Sequence, residues 1–175
     1  MRASKQPATG SATYPPPVYA EAEDRRSVPP AGVFWWLGST ILLGAVLGAA
    51  WWLLAPTGRL FGDPTSADQW LLRDLTFAGL GLAAGIAVGT VVALRLALPA
   101  PTARVLAAIG GSALGSLLAL GVGEGLALLL GPHGRDGLPG SDFLLHSYGA
   151  LAIWPAAAAV IVFATALIGL ARRRT

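Results

Sequence analysis

The run LTFAGLGLAAGIAVGTVVAL, residues 75–94, decides the fold class of this chain. It contains 20 residues and no charged side chain, and Asp74 and Arg95 bound it. A helix needs about 20 apolar residues to cross the hydrocarbon core of a bilayer. Because that core contains no water, a spanning segment must satisfy its own backbone hydrogen bonds, as an α-helix does. The run therefore predicts a transmembrane helix.

Three further charge-free runs also predict transmembrane helices. Residues 27–58, 105–123 and 143–171 contain 32, 19 and 29 uncharged residues, each enough for a span. We therefore predict an all-α, integral membrane four-helix bundle, one domain over residues 33–171, in which consecutive helices run antiparallel. The predicted spans, helix one to helix four, are residues 33–55, 71–97, 103–130 and 144–170.

The composition agrees with a membrane protein. Hydrophobic residues make up 54% and charged residues 12% of the chain, and the mean hydropathy is +0.63. Soluble domains carry about 25% charged residues. Cysteine is absent, which excludes disulfide bonds and cysteine-ligated metal sites. The sequence contains no cofactor motif, so we expect no cofactor.

The basic residues predict the orientation. With both termini inside, nine of the twelve lysine and arginine residues are cytoplasmic, and only Arg59, Arg73 and Arg135 lie outside. Positive residues are retained on the cytoplasmic side, so we predict an N-in/C-in protein of the plasma (inner) membrane. Residues 1–32 would form a disordered, proline-containing cytoplasmic tail, and residues 172–175 a basic cytoplasmic end. Such basic clusters indicate membrane lipids as partners, and not nucleic acid.

Tryptophan prefers the headgroup level of a bilayer, where its ring is apolar and its N–H is hydrated. Five tryptophans lie at the predicted ends of helices one and two, and we interpret them as interface anchors: Trp35, Trp36, Trp51, Trp52 and Trp70. Trp154 lies beside Pro155, well inside the predicted helix four. We interpret this pair as packing at a proline kink.

Small residues recur at a spacing of four in the first three helices, which places them on one face of each helix. In lipid, such faces allow close van der Waals contact between helices. The predicted packing glycines are Gly44, Gly48, Gly81, Gly85, Gly89, Gly111, Gly115 and Gly123. Helix four has an alanine-rich middle at residues 156–159, and the short connection near Pro99 predicts a tight hairpin of helices two and three. One small face could instead meet a second copy or a partner protein.

Glu124 is a carboxylate inside a predicted span, and such residues are costly and often functional. His146, Arg73 and Asp74 are expected near the same end of the bundle, with His146 as the partner of Glu124. One hypothesis is a proton-binding or ligand-binding pocket. The other, which we favour, is a neutral or hydrogen-bonded glutamate that joins helix three to helix four. No second intramembrane acid completes a relay across the bilayer.

The outer loops contain two acid or histidine pairs that match no recognised metal site. These pairs are His133 with Asp136 and Asp63 with Asp68. Glycine-rich loops need polar residues for solvation in any case, so we predict no metal site.

Four stretches carry a family resemblance: WWLLAP at residues 51–56, GGSALGSLLA at 110–119, LGP at 130–132 and GALAIWP at 149–155. With them the chain resembles an actinobacterial four-helix membrane protein family of unknown function, of the type named domain of unknown function 2567. The resemblance covers about residues 35–170. It implies four spans and a proline-rich cytoplasmic tail, and it implies no activity or catalytic residue.

Three functions fit the sequence to different degrees. The first is a non-catalytic accessory or scaffold subunit that packs laterally with envelope membrane proteins, or with a second copy. The second is a small transporter or channel that uses Glu124, although no helix has a polar stripe through the bilayer. The third is a membrane enzyme acting on lipid or cell-wall intermediates, although no catalytic constellation is seen. We expect the first, and hence no enzyme.

Overall fold

The computed structural model describes residues 30–56, 60, 69–95, 101–131, 133, 137–138, 140 and 142–172. Its four α-helices are α1 (Pro30–Leu54), α2 (Trp70–Leu94), α3 (Pro101–Leu130) and α4 (Ile153–Arg172), and a 3₁₀ helix (Tyr148–Ala152) leads into α4. All four helical segments are long and apolar enough to cross a membrane. The all-α, four-helix membrane fold predicted from the charge-free runs is confirmed. Residues 1–29 of the predicted tail lie outside the described residues, and its last three residues, 30–32, begin α1.

The helices associate as two pairs. Helix α1 packs chiefly on α3, and α2 packs chiefly on α4. Gly44 faces Gly115 and Gly48 faces Ala119, so the partners α1 and α3 run in the same direction. Consecutive helices are antiparallel, but contact between α2 and α3 is minor. The connection from which the tight hairpin of helices two and three was predicted, residues 96–100, lies outside the described residues, so the hairpin stays a prediction.

The α1–α3 interface brings two backbones into contact. A Cβ atom added to Gly44 would overlap the backbone of Gly115, and one added to Gly48 would overlap the backbone of Ala119. Only residues as small as glycine or alanine permit the two backbones to approach this closely. In lipid, the resulting van der Waals contact holds helices together in place of the hydrophobic effect.

The α2–α4 interface uses glycine on one side and alanine on the other. A Cβ on Gly85 would lie 2.6 Å from the Cβ of Ala157 and 2.6 Å from the carbonyl oxygen of Trp154. A Cβ on Gly89 would lie 2.9 Å from the carbonyl oxygen of Ala158. The structure places each predicted packing glycine against a second helix: Gly44, Gly48, Gly81, Gly85, Gly89, Gly111, Gly115 and Gly123.

The start of the fourth helix differs from the prediction. The α-helix begins at Ile153 and not at residue 144, and residues 142–147 are not helical. The reason is that the backbone N–H groups of Leu145 and Ser147 donate to carboxylates on other helices and not to a preceding turn. Pro155 is consequently the third residue of α4. The change from 3₁₀ helix to α-helix lies just before this proline, which lacks the N–H that a helix interior would need. Trp154 beside it is buried, as packing requires, and the kink stays a prediction.

Candidate functional site

The acidic residues in the described part of the bundle gather at one end, together with a buried arginine, and we call this end the polar end. Its members are Arg73 and Asp74 at the start of α2, Glu124 near the end of α3, and the non-helical segment 142–147. Helix α1 ends at the same place, because Trp51 contacts both α2 and this segment. The polar end therefore joins all four helices.

Asp74 is 4% exposed, and its carboxylate receives the backbone of the segment that precedes the 3₁₀ helix. Oδ2 accepts the N–H of Ser147 at 2.7 Å, and the N–H of His146 lies 3.2 Å from the same oxygen. Ser147 is the N-cap residue of the 3₁₀ helix, and its own side chain makes no capping hydrogen bond. A carboxylate from α2 thus holds the two residues that lead into the 3₁₀ helix, and its charge complements the helix N-terminus.

Arg73 is 3% exposed, so its charge is largely removed from solvent. Nη1 donates to the carbonyl oxygen of Asp142 at 2.6 Å, and Nη2 lies 3.3 Å from Nδ1 of His146. The guanidinium carbon lies 5.4 Å from the centre of the Phe143 ring, within cation–π range. These contacts hold the non-helical segment against α2, and they offset part of the cost of burying the cation.

Glu124 is half-buried and bonds to the same segment from the side of α3. Its Oε1 accepts the backbone N–H of Leu145 at 3.2 Å. The ring of His146 lies beside Arg73, so the predicted pairing of Glu124 with His146 is wrong. This geometry agrees with the second hypothesis, a hydrogen-bonded glutamate that joins two helices. Glu124 joins α3 to the segment that leads into α4.

Trp51 occupies the centre of the polar end and is completely buried. Its Nε1 donates to the carbonyl oxygen of Arg73 at 3.0 Å, and its ring lies 4.6 Å from that of Phe143 and 5.0 Å from that of Phe77. Gly123 leaves the space that the ring occupies, because a Cβ there would overlap it. The sequence patterns predict no role for Phe77 or Phe143. Their aromatic character is the only property in the sequence that indicates a place in the core.

The five tryptophans predicted as interface anchors differ in how far their side chains are buried. Trp51 and Trp52 are in the core, so they are not the lipid-facing anchors that were predicted. The reason is space, since α3 carries glycine where Trp51 lies. Trp35 and Trp70 are exposed, at 77% and 46%, as interface positions require. Trp36 is half-buried, and the guanidinium carbon of Arg95 lies 5.5 Å from the centre of its ring.

The chemistry of the polar end is hydrogen bonding between charged side chains and backbone groups. Both carboxylates accept backbone N–H groups, and the arginine donates to a backbone carbonyl. Among the described residues, no three histidine, aspartate or glutamate side chains gather as metal ligands. His133 is exposed, whereas Asp136, Asp63 and Asp68 lie outside the described residues. The arrangement can fasten the helices together at this end.

Between the polar end and the opposite end, the buried polar side chains in the described part of the chain are hydroxyls. The Thr40 hydroxyl donates to the carbonyl oxygens of Trp36 and Leu37 at 2.9 Å. The Ser112 hydroxyl donates to the carbonyl oxygen of Ala108 at 2.7 Å. The hydroxyls of Thr40 and Ser112 therefore bond their own helices, an arrangement common where water is excluded.

No family model, curated protein or solved structure matches this chain. The resemblance to the actinobacterial four-helix family stays a prediction.

Proposed function

We propose that this chain is a non-catalytic accessory subunit that packs laterally, within the membrane, against another envelope membrane protein. The observation that carries the proposal is the exposure of the last part of α4. We call residues 163–171 the distal α4 segment. Every residue in it is exposed, so its whole circumference is available to a partner.

The distal α4 segment differs from the rest of the bundle. Its neighbour Val162 is the last buried residue of α4, whereas buried residues of α2 continue to Val92, two positions before that helix ends. Thr165 and Gly169 lie four residues apart and share one face. Small residues at this spacing allow the backbone of a second helix to approach closely. This face supports a helical partner in the bilayer.

The polar end supports the same function by what its side chains already do. Asp74 and Glu124 hold backbone N–H groups of the segment before α4, which is a structural use of both acids. A transporter would need polar groups along a path through the bundle, and the buried hydroxyls of Thr40 and Ser112 bond their own helices. The accessory function therefore has more support than transport or catalysis.

The basic residues favour a plasma-membrane protein with both termini in the cytoplasm, since nine of twelve then lie inside. In that orientation the distal α4 segment lies in the cytoplasmic half of the bilayer. The partner would contact it there. Membership in the actinobacterial four-helix family is part of this proposal.

The test is photo-crosslinking in native membranes. A photoreactive amino acid replaces Ala166 in the distal α4 segment, and a control chain carries it at Leu42, which is 68% exposed on α1. We expect a crosslink from position 166 to one other membrane protein, identified by mass spectrometry, and none from position 42. Crosslinks from position 166 only to lipid, or to a second copy of this chain, would contradict the proposal.

A substitution adds specificity to this test. An added Cβ at Gly169 meets nothing within 4 Å, so Gly169→Leu leaves the packing of the chain itself intact. It should nevertheless prevent close approach of a partner helix and remove the crosslink. Gly79→Leu is the matched control, because Gly79 on α2 is equally open. If both variants keep the crosslink, the Thr165–Gly169 face is not the contact.

A further inference from the structure

A groove opens on the side of the bundle between the start of α2 and the start of α4. Its volume is about 300 Å³, at the lower end of the range for ligand sites. Leu71 and Leu75 of α2 form one wall, and Ile153 forms part of the other. Because both leucines are more than half exposed on a membrane-spanning helix, the groove faces the surrounding lipid.

Three side chains with polar atoms line this otherwise apolar groove, those of Trp70, Asp74 and Ser147. Asp74 is the charged residue in its lining, and Ser147 contributes a hydroxyl. The Asp74 carboxylate accepts two backbone N–H groups, those of His146 and Ser147. An ionised carboxylate has about four acceptor sites, so it retains capacity for a further donor. The groove therefore suits a molecule that has an apolar chain and a cationic donor.

We propose that the groove binds an ethanolamine phospholipid. Its acyl chain would lie along Leu71, Leu75 and Ile153, and its primary ammonium would donate to Asp74. A primary ammonium carries N–H donors, whereas the quaternary ammonium of a choline lipid has none. A glycerol phospholipid has a net negative charge and offers no cationic donor to the carboxylate. Trp70 and Ser147 carry donors for the lipid phosphate beside the groove. This inference does not rest on the proposed accessory function.

The structure offers a variant that fills the groove without disturbing the fold. Gly149 lies in the lining, and a Cβ added there would meet only the Ser147 hydroxyl, at 3.9 Å. Gly149→Leu therefore places a side chain where the lipid would be. Gly79→Leu is the matched control, because it adds the same side chain at an open position of α2 that does not line the groove.

The experiment is native mass spectrometry of the full chain from nanodiscs that contain equal amounts of ethanolamine, choline and glycerol phospholipids with identical acyl chains. We expect the chain to retain about ten times as much ethanolamine lipid as either of the other lipids. One charge-assisted hydrogen bond raises affinity by about this factor. Gly149→Leu should abolish the preference, and Gly79→Leu should keep it. Asp74→Asn, which keeps an acceptor oxygen but removes the charge, should reduce it.

Equal retention of the three lipids by the wild-type chain would overturn the proposal. A preference for the glycerol lipid, or one that survives Gly149→Leu, would overturn it too. If Asp74→Asn fails to fold, the Gly149→Leu and Gly79→Leu pair still decides the question. The readout is independent of any protein partner, so loss of the crosslink from position 166 would leave this result unchanged.

Discussion

At the scale of single residues, Trp51 and Trp154 differ in the surroundings of one atom. Both side chains are almost completely buried. Nε1 of Trp51 donates to the carbonyl oxygen of Arg73, whereas Nε1 of Trp154 has no hydrogen-bond partner among the described residues. Phenylalanine removes the N–H at either position with a similar loss of volume. The two sites thus form a matched pair that isolates one hydrogen bond.

We expect Trp51→Phe to lower the free energy of unfolding by about 0.5–1.5 kcal/mol more than Trp154→Phe, because it removes a buried hydrogen bond to the carbonyl of Arg73. The measurement is reversible unfolding in mixed micelles. Equal losses for the two variants would mean that the Trp51 hydrogen bond contributes nothing.

Glu124 gives a second prediction at this scale. Glu124→Gln keeps an oxygen that accepts the N–H of Leu145, and we expect it to retain nearly all of the unfolding free energy. Glu124→Leu leaves that N–H without its acceptor and should cost about 1–3 kcal/mol. The same unfolding measurement separates the variants. A loss with Gln as large as that with Leu would show that the charge matters and not the hydrogen bond.

At the scale of elements, the helix pairs depend on glycine. A Cβ on Gly115 would lie 2.8 Å from the carbonyl oxygen of Thr40 and 2.8 Å from a ring carbon of Trp154. Gly115→Leu should therefore separate α1 from α3. Gly110 is five positions earlier on the same helix, and a Cβ there meets nothing within 4 Å. It is the matched control for α3.

We expect Gly115→Leu to cost about 1–3 kcal/mol of unfolding free energy or to prevent folding, because overpacking forces backbones apart. Gly110→Leu should be nearly neutral. The thermal unfolding midpoint in mild detergent is the measurement for both. Similar midpoints would contradict the account of close packing between α1 and α3.

At the scale of the whole molecule, the orientation can be tested directly because the chain has no cysteine of its own. We expect Ser66→Cys to react with a membrane-impermeant thiol reagent on intact cells, and Thr175→Cys to react only after the cells are opened. The reason is the retention of basic residues on the cytoplasmic side. The reverse pattern would contradict the N-in/C-in topology and place the distal α4 segment in the outer half of the bilayer.

Much of the architecture follows from local sequence. The length of each charge-free run predicts a span because bilayer thickness is constant, and the four-residue spacing of Gly81, Gly85 and Gly89 predicts a small face because helical geometry is constant. The gathering of Arg73, Asp74 and His146 also follows, since alternating helices return to the same end of the bundle.

Only the tertiary structure decided which helices pair, where Trp51 lies and where α4 begins. Small faces on several helices allow more than one pairing, and a tryptophan at a helix end can face either lipid or a glycine on another helix. Residues 144–152 have the apolar composition of a helix, but Asp74 and Glu124 accept N–H groups of this stretch. Those acceptors lie more than 20 residues away in the chain, and local sequence patterns carry no information about contacts made at such distances.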